Sequence, residues 1–271
     1  MDFVDTHCHI QSAGNPVGER TTSDLWRKWP NLTGDVLIAN AHAADVQSLI
    51  CVGCDLADSQ LAEHFASSRT NVWASAGIHP HEASSMINNS PGWTAFERLL
   101  GTKKVIAIGE CGLDYYYEHS PAADQKTVLR RQLALAAEHE LPLIFHVREA
   151  FDDFWPILDE FPHIRGVLHS YTDTAINLSI AIDRGLFIGV NGIATFAKHA
   201  AQLEMYAAIP LENLVLETDA PFLTPTPYRG NVNEPKHIVT VASFLSQLKD
   251  IAIKDIATAT TTNANTLFGL K

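Results

Sequence analysis

Short apolar, β-branched runs recur along the chain with amphipathic stretches between them. The runs are FVDTH (3–7), SLICVG (48–53), VWASAG (72–77), VIAIGE (105–110), LIFHV (143–147), GVLHS (166–170), LFIGV (186–190) and LVLETD (214–219). Each has the length of a buried strand, and the segments between them read as helices. After the fourth run, Ser120-Pro121 supplies an N-cap and first-turn pair. Val128, Leu129, Leu133, Ala136 and Ala137 then share one helical face, and Leu141-Pro142 stops the helix. Strand and helix alternating eight times predict an α/β chain, a single (β/α)8 TIM-type barrel over residues 1–271. Two segments break the pattern. Residues 11–34, QSAGNPVGERTTSDLWRKWPNLTG, read as a long irregular loop after the first strand, and DAPFLTPTPYRGNVNEP (219–235) is too rich in proline for a helix. Both are expected on the rim where barrels build substrate contacts, although the first is equally readable as a packed surface loop.

Composition narrows the function classes. The chain has 271 residues, 46% of them hydrophobic, enough for a large core and close to the usual size of one α/β barrel. No apolar run approaches the roughly 20 residues that span a bilayer, and the amino terminus, with Asp2 and Asp5, lacks a secretory signal; a cytoplasmic location without membrane association is expected. Nineteen Lys and Arg against 31 Asp and Glu give a net charge of −12, which argues against general coating of nucleic acid. A phosphate-bearing substrate then needs local cations or metals. Four cysteines are too few for a disulfide scaffold and fit a reducing compartment. Cys51 and Cys54 have redox or zinc spacing, but they close the apolar run SLICVGC and lack a second pair, so a buried strand entering a turn is the favoured reading.

Chemistry concentrates at the strand ends. In VDTHCHIQ (4–11), the two-residue period sends Asp5, His7 and His9 to one face and Cys8 to the other. The third run leads into His79 and His81, the fourth ends in Glu110, the fifth carries His146, the sixth His169 and the eighth Asp219. Active sites of parallel barrels lie at the carboxyl ends of the strands, so these residues are expected to converge as a metal site. Imidazole and carboxylate donors admit zinc, manganese, magnesium or iron, and the imidazoles argue against a pure magnesium cage. A carboxylate on a middle strand, Glu110, is placed to share its two oxygens between two cations about 3.5–4 Å apart; pairing with Arg148 or Lys126 is the alternative. Asp5, deeper in its strand, is expected to orient a histidine or to satisfy the core.

The motifs DTHCH (5–9), GIHPH (77–81), GECGLDYY (109–116), IFHVREA (144–150), LHSYT (168–172), ETDAPFL (217–223), PYRGNVNEP (227–235) and NANTLF (263–268) resemble, over essentially the whole chain, the TatD family of metal-dependent deoxyribonucleases, amidohydrolase-type TIM barrels. The resemblance implies two divalent ions: His7, His9, Glu110 and Asp219 on one, and Glu110, His146 and His169 on the other. It also implies a hydrolase that cleaves phosphodiesters with metal-activated water, expected here as a 3′–5′ exonuclease on single-stranded DNA or frayed ends. Asp219 is the expected proton acceptor, with Glu110 and His79 as further catalytic groups. His79 and His81 either donate to the phosphate or leaving group or shape a turn. Arg148 and Arg229 are candidate phosphate clamps or salt-bridge partners, and at most one of Tyr115, Tyr116 and Tyr117 is expected to stack a base, Tyr115 being the first choice, with a packing cluster as the alternative.

The chain departs from the family pattern in the long, tryptophan-containing 11–34 segment and in Val147 after His146, which leaves the metal chemistry intact and opens the question of substrate. A hydrolase of another ester or amide, such as an aminoacyl-tRNA deacylase or a small-molecule amidohydrolase, is the alternative enzyme. A metal-stabilised interaction protein docking through 11–34 is the non-enzymatic one. No protein partner is inferable from the sequence.

Overall fold

The computed structural model describes residues 1–14, 20–117 and 119–270. Eight strands alternate with helices: β1 (Phe3–Cys8), β2 (Val46–Val52), β3 (Val72–Ala76), β4 (Val105–Asp114), β5 (Leu143–Arg148), β6 (Gly166–Leu168), β7 (Phe187–Val190) and β8 (Leu214–Leu216). This is the (β/α)8 fold of TIM type that the apolar runs predict. Among the described residues no helix is long and apolar enough to cross a membrane.

The chain divides into two compact units, residues 1–51 with 169–271, and residues 52–168. In the first, β1 runs parallel to β2, with Val4 against Ser48 and Cys8 against Cys51, and β7 runs parallel to β8. Cys8 also bridges Ala220, just after β8. The helix Ile253–Phe268 packs on this unit, and its Asn263 donates to the carbonyls of Leu211 (2.7 Å) and Leu214 (2.8 Å), fixing the entry to β8. In the second unit, β3 to β6 run parallel in order.

The strand limits differ from those expected in ways that matter for the site. β4 continues four residues past Glu110, because pairing with β5 runs on through Cys111↔Phe145 to Asp114↔Arg148. Glu110 therefore lies within a strand and not at its end. β6 and β8 have three residues each, so His169 and Asp219 sit in the turns that follow, Asp219 with φ +57°.

The helix Ala122–His139 buries Val128, Leu129, Leu133 and Ala136 as expected, but Ala137 is exposed, and Gln125, Gln132 and Leu135 complete the buried face. Pro121, not Ser120, is its N-cap; Ser120 instead donates to the His81 carbonyl (2.7 Å). Residues 11–34 are not one loop. Residues 15–19 lie outside those described, Ile10–Ser12 is a 3-10 turn, Arg20–Trp26 is an α-helix, and another helix begins at Gly34. Trp26, 2% exposed, anchors the helix by donating Nε1–H to the His9 carbonyl at 3.0 Å, whereas Trp29 is 39% exposed.

Candidate metal centre

In the first unit, β1 delivers His7 at its buried end and His9 immediately beyond it, while Cys8 points away and donates to the Ile50 carbonyl (3.4 Å). Burial pushes the Cys8 thiol up, which removes it as a nucleophile. His7 Nε2 lies 3.2 Å from His9 Nε2, and Asp219 Oδ1 lies 3.5 Å from the former and 3.2 Å from the latter. Donors bound at about 2.0–2.1 Å in a tetrahedral shell stand about 3.3 Å apart. The three atoms therefore have the spacing of one face of a metal shell, which is the fit a divalent ion requires. Burial opposes the charge on Asp219, but the hydrogen bond from His9 and the imidazoles of His7, His9 and His169 outweigh it and hold the carboxyl below its ordinary value.

Asp5 holds the backbone of this group. Its Oδ1 accepts from His7 N–H (3.3 Å) and Thr218 N–H (2.9 Å), and its Oδ2 accepts from the Thr218 hydroxyl at 2.6 Å. It thereby ties β1 to the turn that carries Asp219. The His169 ring stacks on His7 (4.1 Å between centroids, 19°), and His169 Nδ1 lies 3.5 Å from Glu217 Oε1. Glu217 is wholly buried; Oε1 accepts from Ser170 N–H (2.6 Å) and Asn191 Nδ2 (3.1 Å), while Oε2 has no hydrogen-bond partner among the described residues. Gly189 makes room for it, since a Cβ there would fall 2.3 Å from Glu217 Oε2. His7, His169 and Glu217 form a second set of donors close enough to hold an ion.

The second unit carries its own group. Glu110 Oε1 lies 2.9 Å from His146 Nδ1 and 3.7 Å from His79 Nε2, and Cys54 Sγ lies 3.8 Å from Glu110 Oε2. Glu110 is 4% exposed and is not engaged by either cation proposed as its alternative partner: Lys126 pairs with Asp153 (3.2 Å), and Arg148 stacks on Tyr116. Asp114 is the anchor. Its Oδ2 lies 2.9 Å from His146 Nε2 and 3.1 Å from His81 Nε2, and its Oδ1 accepts from the Tyr116 and Tyr117 N–H groups, both at 3.0 Å. Burial raises this carboxyl, but the hydrogen bonds from His146, His81 and Tyr117 prevail and hold it well below the usual range. An ionised Asp114 accepts the hydrogen bond from His146 Nε2–H, which leaves the Nδ1 lone pair beside Glu110 and available to a cation.

His79 has a different state. Burial first, and then His146 and His81, outweigh Glu110 and Asp114 and lower its pKa well below 6.5. Its Nδ1 accepts from His81 N–H (3.1 Å), so the neutral ring carries its proton on Nε2, facing Glu110. Two glutamines set these backbones. Gln132 holds both polar groups of Ile78 (2.8 and 3.0 Å), next to His79, and Gln125 holds those of Asp114 (2.8 and 3.0 Å). They stand seven residues apart, two turns, on one helix face.

Of the expected substrate contacts, Tyr115 donates its hydroxyl to Asp153 (2.7 Å) and is tied into the structure; the exposed rings are Tyr116 and Tyr117, with the Arg148 guanidinium 3.9 and 4.8 Å from their centroids. Arg229 lies over the Phe196 ring at 3.7 Å. Sequence reading missed Asp114 and Glu217. The signal was parity: Asp114 lies four residues after Glu110 in one strand, and Glu217 two before Asp219.

The chain matches the model of a protein family described as TatD related DNase over residues 4–269. It is 34% identical over 268 residues to YabD of Bacillus subtilis (strain 168), named an uncharacterized metal-dependent hydrolase, with 98% of each chain covered. It is 35% identical over 246 residues to the 3′-5′ ssDNA/RNA exonuclease TatD of Klebsiella pneumoniae (strain 342), covering 87% of this chain and 92% of the other. Its structure is similar to that of YJJV, a TatD homolog from Escherichia coli K12, with a TM-score of 0.85 at 26% identity, covering 99% of this chain and 98% of the other.

Proposed function

The chain belongs to the family of TatD-related DNases and is a metal-dependent hydrolase, and from that premise we propose that it removes nucleotides from the 3′ ends of single-stranded DNA in the cytoplasm. The observation that carries this reading is the donor triangle of His7 Nε2, His9 Nε2 and Asp219 Oδ1 at 3.2–3.5 Å, on a chain whose relative acts on single strands. The proposed ligands of two ions, drawn from magnesium, manganese and zinc, are His7, His9, Glu110, His146, His169 and Asp219. Bound there, divalent ions supply Lewis acidity toward the phosphodiester and lower the pKa of water.

The chain's own residues do the rest. Asp219, held ionised by His9 and His7, accepts the proton of the attacking water at its carboxylate. His79, neutral with its proton on Nε2, is the donor toward developing charge, and His81 is kept beside it by Asp114. Arg148 and Arg229 meet phosphate oxygens, a role supported by the lack of a carboxylate ion pair at either guanidinium among the described residues. The net charge of −12 fits engagement of strand ends better than of long duplexes. The cytoplasmic location is supported by a count of four cysteines, too few for a disulfide scaffold in a chain of this length.

The test couples metal analysis to degradation of linear and circular single strands with added manganese, magnesium or zinc. The expected result is metal-dependent loss of the linear strand alone. Equal rates on both strands contradict end-dependence, and cleavage of an ester substrate with DNA untouched assigns the site to another hydrolase. Glu110→Ala is expected to abolish turnover with the fold intact; unaltered turnover overturns the enzymatic reading.

A further inference from the structure

Within the first unit, the turn Gly192–Phe196 and the loop after Asp219 border an open cavity of about 420 Å³, lined by Ile193, Phe196, Leu223, Thr224, Arg229 and Gly230. The cavity wall is linked to the donor triangle through Phe222. Phe222 N–H donates to the Asp219 carbonyl (2.8 Å), and the Phe222 ring meets the His9 ring edge-on at 6.3 Å. The next residue, Leu223, is the cavity wall.

The walls are preformed. A Cβ on Gly192 would fall 1.9 Å from the Leu223 carbonyl oxygen, so only glycine lets turn and loop approach this closely. Asn191 Oδ1 accepts from Ile193 N–H (3.1 Å), and Thr195 Oγ1 accepts from Thr226 N–H (2.9 Å), joining turn to loop. Thr224 donates to the Asn231 carbonyl (2.7 Å), and Asn233 donates to that of Phe222 (2.7 Å). A ligand entering here has little loop ordering to bring about.

The lining selects a chemistry. Three walls are apolar, no carboxylate is among them, and the one charge is Arg229, its guanidinium 3.7 Å over the Phe196 ring. Among the described residues Arg229 makes no ion pair with a carboxylate. A stacked guanidinium is flat, cationic and weakly hydrated, and so receives a phosphate at its edge while leaving an apolar surface for a planar ring. The volume is in the range of small-ligand sites, about 300–1,000 Å³.

Resting on the nuclease reading, we infer that this cavity binds the terminal nucleotide of the substrate, its base against Ile193, Phe196 and Leu223 and its phosphate on Arg229. The test is calorimetric titration of the metal-loaded full-length chain with deoxyadenosine 5′-monophosphate, deoxyadenosine and inorganic phosphate, alongside Arg229→Ala and the cavity-filling Ile193→Trp. The monophosphate is expected to bind at least about tenfold tighter than either half. Arg229→Ala should lose that factor toward the monophosphate but not toward deoxyadenosine, and Ile193→Trp should weaken both.

Equal monophosphate affinity in wild type and both variants overturns the inference, because the phosphate is then held elsewhere. Equal affinity for inorganic phosphate and monophosphate overturns the base wall. Kinetics on a single strand keep the two readings apart. Monophosphate binding that depends on Arg229 and Ile193, with no DNA degraded, leaves the cavity standing and fells the nuclease; DNA degraded with unchanged KM in both variants fells the cavity alone.

Discussion

Asp114, with no solvent exposure, holds His146 through a 2.9 Å contact from Oδ2 to Nε2, and thereby fixes which imidazole nitrogen faces Glu110. Asp114→Asn keeps the shape and the oxygen that accepts from Tyr116 and Tyr117, but removes the charge that favours the hydrogen bond from His146 Nε2–H. The prediction is a fall in divalent-ion affinity of about 10- to 100-fold, read by competition with a metal-binding dye, with circular dichroism unchanged. An affinity equal to wild type would show that His146 needs no anionic partner.

Trp26 makes a second prediction, at the other donor group. Its indole N–H reaches the His9 carbonyl at 3.0 Å from a position 2% exposed, so Trp26→Phe leaves that carbonyl short of its donor while filling most of the space. The expected cost is about 1 kcal/mol in urea unfolding, with a weaker hold on the first ion. Trp29→Ala, at an exposed site, should change neither. If the two variants behave alike, the helix Arg20–Trp26 does not support His9.

Legibility in the sequence followed periodicity. Asp5, His7 and His9 on alternate positions of an apolar run betray a strand face, and Glu110, His146, His169 and Asp219 are legible as polar residues ending apolar runs. Asp114 and Glu217 escape that reading because their strands do not stop where hydrophobicity does: pairing with β5 carries β4 to Asp114, whereas β8 stops at Leu216, short of Glu217 and Asp219. Gln125 and Gln132 occupy core positions of a helix as polar residues, and only the backbones they meet, at Asp114 and Ile78, explain them. The helix Arg20–Trp26 is hidden in a segment punctuated by Gly and Pro, where local propensity gives no sign of Trp26 docking under His9.

The Thr218 hydroxyl is the strongest single link holding Asp5, at 2.6 Å with no exposure of Asp5. Thr218→Val is isosteric and leaves a buried Asp5 carboxyl oxygen without its hydrogen-bond partner, so the expected loss is about 1–3 kcal/mol of stability. Thr218→Ser restores the hydroxyl and should recover most of it. Equal stability of the valine and serine variants in urea would remove Asp5 from the account of how β1 and the Asp219 turn are joined.

His237 sets a pH dependence away from the metal ligands. It stacks on Tyr228 (4.7 Å), and burial first, then Lys236, lower its pKa below 6.5 against the opposing pull of Glu234. The unfolded chain takes up this proton at 6.5, whereas the folded chain does so only at a lower pH. In that window the unfolded state binds more protons, so His237 costs stability as the pH falls below 6.5. Asp5, pushed up to about 8 by burial, acts in the opposite sense over the same range, so the wild-type curve alone is not diagnostic. The measured quantity is therefore the difference in unfolding midpoint between His237→Gln and wild type from about pH 7.5 to 5.5. It should shift in favour of the variant as the solution becomes more acidic. A difference that stays constant with pH would mean that His237 titrates alike in the folded and unfolded chains.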